Sequence, residues 1–79
     1  MSIFGSIYFS MELNENEINF ELNTNNFNAK VTFSPNANND VFIPYSISHE
    51  SNKYKITSID DFSFYNNIYI KSINFPDNS

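Results

Sequence analysis

Ser48, His49 and Glu50 stand side by side, and His49 is the only histidine of the chain. A hydroxyl, an imidazole and a carboxylate in a hydrogen-bonded row are the parts of a nucleophilic hydrolase. Neighbours on a strand, however, point to opposite faces, so adjacency works against a triad. His49 therefore reads as an exposed histidine in a polar hairpin. Asp40, Asp60 and Asp61 offer hard oxygen ligands for calcium. No Asp-x-Asp-x-Asp-Gly loop accompanies them. They read instead as a turn and a cap. One histidine and no cysteine leave no transition-metal ligand set, no thiol nucleophile and no disulfide framework. Gly5 is the only glycine, which removes glycine-rich phosphate loops. No catalytic residue, metal or cofactor is assigned, and the chain reads as non-enzymatic.

What remains is binding, and composition limits the partners. Four lysines and no arginine face nine acidic residues, a net charge of −5. Phosphate backbones are bound by displacing counterions with Lys and Arg, so nucleic acid is not an expected partner. An anionic membrane surface fails for the same reason. The longest uncharged stretch, Met1 to Met11, is too short to span a bilayer. Met1 to Gly5 carries no Lys or Arg, and Glu12 arrives before any apolar run closes in a cleavage site, so no signal peptide is expected. At 79 residues the chain is one small domain with a thin core. Fifteen Asn, ten Ile and nine Phe, set against two Leu and two Ala, favour strands and turns over long helices.

Ile3, Gly5, Ile7, Phe9, Met11 and Leu13 recur at period two and predict a first strand. Asn14-Glu15-Asn16 reads as a turn. Ile18, Phe20 and Leu22 then alternate with Glu17, Asn19 and Glu21, the mark of a strand with one wet face. Asn23 to Asn26 turns the chain, and Phe27, Ala29, Val31 and Phe33 alternate again. The three runs predict an antiparallel meander over residues 1–33. Pro35 ends it. Val41, Ile43 and Ile47 form a short apolar run broken by Pro44, and Ser48 to Lys53 is polar. Tyr54, Ile56 and Ile59 resume an apolar face. Asp60-Asp61 is expected to cap a short helical or 3₁₀ turn through Tyr65. Ile70, Ile73 and Phe75 form a last strand, stopped by Pro76.

An internal repeat underlies the second half. Val41-Phe42-Ile43-Pro44 matches Ile73-Asn74-Phe75-Pro76, with the two prolines 32 residues apart. Tyr54-Lys55-Ile56-Thr57-Ser58-Ile59, then Ser63-Phe64, then Ile70-x-x-Ile73-x-Phe75-Pro76 resembles one unit of the BspA-like leucine-rich repeat family. Ser48 to Tyr54 resembles the polar hairpin often inserted before that family's first full repeat. Ser63 stands where Ala is usual. Asn67 stands where Cys is frequent, a place where an Asn can hydrogen-bond backbone in a ladder. Ser79 stands where an apolar residue should seal the unit. The resemblance covers residues 40–79, one partial and one full repeat.

The resemblance implies a mainly β single domain. Its N-terminal meander would act as a cap on a short leucine-rich-repeat-like solenoid end. It also implies a protein-binding or adhesion role at a cell surface, with the cytoplasm as the alternative. Strands of such solenoids line a contact surface, which here assigns Phe42, Lys71, Ser72 and Asn74 to binding, with loop-borne Asp40 beside them. An apolar face after Phe75 would be left open, as expected of a truncated or fragmentary member of a longer solenoid, or of an edge used for self-association. The competing reading is a small carbohydrate-binding β-sandwich, with exposed aromatics stacking on sugar rings.

Overall fold

The computed structural model describes residues 10–76. Within them lie seven strands and no helix: β1 (Ser10–Glu15), β2 (Ile18–Asn23), β3 (Asn28–Val31), β4 (Asn39–Phe42), β5 (Ser46–His49), β6 (Asn52–Ile59) and β7 (Ile70–Asn74). A five-stranded sheet runs β1-β2-β3-β6-β5, and β4 pairs with β7 in a second, two-stranded sheet. The result is a curled, open, mainly β structure. The expected strand residues Ile3, Gly5, Ile7 and Phe9 lie outside the described residues, as does Ser79.

The meander forms as the alternation requires. β1 pairs antiparallel with β2, and β2 with β3. Ile18, Phe20, Leu22, Ala29 and Val31 are buried on one side, while the alternate positions of both strands reach solvent. The turns are made without glycine. Asn16 and Glu17 take φ of 56° and 68° between the paired residues Glu15 and Ile18. Glu50 and Ser51 take 50° and 70° between His49 and Asn52. Two consecutive left-handed residues are the signature of a type I′ hairpin, whose twist matches that of the strands. The Asn23 side chain closes the longer β2–β3 loop by accepting from the N–H groups of Asn25 and Asn26 at 2.9 and 3.2 Å.

After β3 the chain follows a path that it later repeats alongside. Residues 27–43 form an inner pass, and residues 55–74 an outer pass beside it. β3 pairs with β6 and β4 with β7, both in parallel. Between the strands the two passes stay in hydrogen-bond contact. Ser34 N–H donates to the Ser63 carbonyl at 2.7 Å, and Asn39 N–H to the Tyr69 carbonyl at 2.9 Å. The sequence match is realised as a register: Val41 lies opposite Ile73, and Phe42 opposite Asn74.

Side chains of the outer pass also donate to inner-pass carbonyls. Ser63 Oγ reaches Val31 O at 3.1 Å, Asn67 Nδ2 reaches Ala37 O at 2.8 Å, and Asn74 Nδ2 reaches Val41 O at 3.1 Å. Asn67 also accepts through Oδ1 from the N–H groups of Tyr69 and Ile70. Buried backbone groups in a turn need partners, and this one amide supplies three bonds. β2 closes the opposite side of the inner pass. Asn19 N–H donates to Ser34 Oγ, and Asn19 Nδ2 to the Phe33 carbonyl, both at 2.9 Å.

Several local expectations change, the first being that Asn14 and Glu15 belong to β1 and the turn is made by Asn16 and Glu17. Phe27 and Phe33 are exposed rather than core residues. Phe27 has a φ of 59°, which turns it out of the strand and onto Tyr54, ring centroids 5.6 Å apart. At the other end β3 stops at Val31, and Ser34 rather than Phe33 turns inward. Asp60 precedes and Asp61 opens a run of turns closed by i→i+3 bonds, such as Ser63 N–H to the Asp60 carbonyl at 3.1 Å, close to the 3₁₀ turn expected and not an α-helix. The Asp60 carboxylate instead lies 3.6 Å from Lys30 Nζ. Asp40 belongs to β4 rather than a loop, because strand pairing already begins at Asn39 opposite Ile70.

Candidate functional site

The two-stranded sheet shows how the residues assigned to binding are arranged. Val41 is buried on its inner side, so strand alternation turns Asp40 and Phe42 outward. Ser72 lies opposite Asp40, and Asn74 opposite Phe42. Ser72 Oγ donates to Asp40 Oδ1 at 2.8 Å, and Asn74 Nδ2 donates to Ser72 Oγ at 3.0 Å. With the bond from Asn74 to the Val41 carbonyl, this makes a continuous polar row held to the backbone. Phe42 stands beside the row with 57% of its surface exposed. A held polar row next to an exposed ring offers a partner hydrogen bonds and apolar area at little ordering cost.

Lys71 is placed differently. The register shifts between Asn39 and Asp40, so Ile70 pairs with Asn39 and Ser72 with Asp40. Lys71 is thus the extra residue of a β-bulge, without an opposite number on β4. It stands beside the row rather than in it.

Phe42 and Asp40 also border a cleft of about 470 Å³ among β4, β5 and the β1–β2 hairpin. Ile18, Phe20 and Val41 line it with apolar surface, and Glu15, Asn16 and Asn38 add polar groups. Those last three residues were not marked out by the sequence. Asn16 reads there only as a turn residue, and nothing in its spacing ties it to Phe42. The curl of the sheet brings them together.

His49 ends β5 half-buried, with Nε2 3.8 Å from Glu50 Oε2, while its neighbour Ser48 is exposed. Among the described residues no three His, Asp or Glu side chains gather where they could hold a metal ion. No helix among them is long and apolar enough to cross a membrane. No protein-family model, no curated protein and no solved structure matches this chain.

Proposed function

We propose that this chain is a non-enzymatic protein-binding module of the BspA-like leucine-rich repeat kind. In this reading the parallel passes are adjacent turns of a short solenoid, and the β1–β2 hairpin is its cap. The register of Val41 on Ile73 and Phe42 on Asn74 supports it, because repeat positions in a solenoid stack in order. The contact surface is the outer face of β4 and β7: Phe42 as apolar anchor, Asp40, Ser72 and Asn74 as fixed polar groups, and Lys71 at the margin. The observation that supports the reading is the exposed Phe42 ring beside a hydrogen-bonded polar row. Aromatic side chains are over-represented among residues that dominate binding energy.

The test is surface plasmon resonance against a panel of immobilised extracellular-matrix proteins. Binding by the wild-type chain, weakened at least about tenfold in Phe42→Asp with an unchanged circular dichroism spectrum, is the expected result. No binding to any panel member, or equal binding by the variant, overturns it. The carbohydrate reading draws on the same cleft, where Phe42 stands with Asn16, Asn38 and Asp40. A glycan-array signal that disappears in Phe42→Ala would favour that reading instead.

A further inference from the structure

β4 is an edge strand with a cleft along its free side. Its one strand partner among the described residues is β7. Ile43 N–H donates to the Asn74 carbonyl at 2.9 Å, and the Val41 carbonyl accepts from Asn74 Nδ2 at 3.1 Å. Main-chain groups of successive strand residues point to opposite edges, so those of Asp40 and Phe42 face away from β7. Asn38, Asp40, Val41 and Phe42 line the cleft of about 470 Å³, and no β7 residue does. The N–H and C=O groups that β7 leaves unpaired therefore open into that cleft.

Such an edge is a template for one more strand, and folds commonly guard it with lysines, prolines or bulges. β7 carries Lys71 at its bulge. β4 has neither lysine nor proline, and its one charge is Asp40. With Glu15 across the cleft, Asp40 makes the walls acidic, and no lysine lines them. Two carboxylates without a basic neighbour repel acidic segments and attract basic ones. A strand laid against β4 alternates its side chains across the sheet. One set falls on the outer face beside Asp40 and Phe42. The other joins Val41 on the inner side, where Ile18 also lines the cleft.

Resting on the protein-binding reading above, we infer that the partner is held as an extended segment of alternating basic and apolar residues, added as a strand to the free edge of β4. Main-chain bonds to Asp40 and Phe42 supply the pairing. A basic side chain on the outer face meets Asp40, and an apolar one on the inner side meets Val41. The hydrogen bond from Ser72 holds the Asp40 carboxylate in place beforehand, which lowers the ordering cost. β4 is four residues long, so the paired stretch is short and the affinity modest.

Amide NMR on the 79-residue chain tests this, with a capped peptide of alternating lysine and valine as the probe. A dissociation constant of about 0.2 mM or tighter is expected, so that about 2 mM peptide slows hydrogen exchange at the Asp40 and Phe42 amides about tenfold. The same peptide with its backbone nitrogens methylated keeps its side chains and loses its donors, and should bind at least about tenfold more weakly. Glutamate in place of lysine should abolish binding. Asp40→Asn with Glu15→Gln should weaken binding at least about fivefold with circular dichroism unchanged, and Glu15→Gln alone about twofold should the pair fail to fold. No binding, equal binding by the methylated or glutamate peptide, or protection that falls on another strand edge overturns the inference. Binding to the matrix panel with a silent lysine–valine peptide overturns strand addition alone. A silent panel with a bound peptide overturns the choice of matrix partner and supports strand addition.

Discussion

Val31, Val41 and Ile43 of the inner pass are 0, 4 and 1% exposed, while Ile59, Ile73 and Phe75 at the matching outer positions are 38, 40 and 56% exposed. The two passes share path, direction and residue type. They differ in their neighbours. β2 lies on one side of the inner pass and the outer pass lies on the other. Beyond the outer pass, among the described residues, lies only β5, paired to β6 over Asn52–Lys55. Burial of a matched apolar position is therefore set by the strands beside it as well as by the apolar pattern of its own strand. The comparison also explains how so small a chain builds a core. It buries the apolar residues of the inner pass and leaves those of the outer pass partly exposed.

Truncating matched positions is the most direct way to break this comparison. Ile43→Ala empties a fully buried site and should cost about 2–5 kcal/mol. That is a large share of the roughly 4–12 kcal/mol expected for a domain of this length. Phe75→Ala removes a larger side chain from the equivalent outer place. It should cost about 1 kcal/mol or less. Urea unfolding of the two variants at equal concentration gives the answer. Equal losses would mean that the two passes are not energetically distinct.

A smaller effect is expected at the joint between the passes. Asn67 gives one hydrogen bond to the Ala37 carbonyl and receives two from the N–H groups of Tyr69 and Ile70. Alanine at this position leaves those groups short of partners, at a cost of about 1–3 kcal/mol. Hydrogen exchange should show the Tyr69 and Ile70 amides losing protection first, while the β2 and β3 amides keep theirs. Uniform loss of protection across both passes would show that the outer pass does not open separately from the inner one.

Much of this arrangement was legible in the residues. Ile18, Phe20 and Leu22 alternate with polar neighbours, which fixes which face of β2 is inside. The recurrence of an apolar-x-apolar-Pro ending at Val41–Pro44 and Ile73–Pro76 lines up with the register in which β4 and β7 pair. Asn67 was expected to hydrogen-bond backbone only through the family resemblance, and its amide does bond the Ala37 carbonyl and the Tyr69 and Ile70 N–H groups. Other features were not. Alternation tells the side on which Phe33 would lie, but not that the chain bends before it and buries Ser34 instead. Asp60 has the composition of a cap, and only the fold reveals that a lysine thirty residues upstream claims its charge. Glu15, Asn16 and Asn38 approach Phe42 through the curl of the sheet, a tertiary fact with no local signature.

The finest test concerns that lysine. Lys30 on the inner pass reaches Glu21 on β2 at 3.5 Å and Asp60 on the outer pass at 3.6 Å, so it touches all three layers. The nearby charge of Asp60, and then that of Glu21, raises its pKa above the ordinary 10.5. A pKa raised by folding means that the fold favours the protonated amine. Its contribution is thus fully present below pH 10.5 and is lost as pH rises through the raised value. The side chain is well exposed, and solvent and salt screen such pairs. Lys30→Met should therefore lower the thermal midpoint only slightly at neutral pH and low salt, less than either variant above. The deficit should shrink in 1 M salt and fade as pH climbs past 10.5. If the deficit were independent of salt and pH, Lys30 would be holding the layers together by packing of its methylene stem and not by charge.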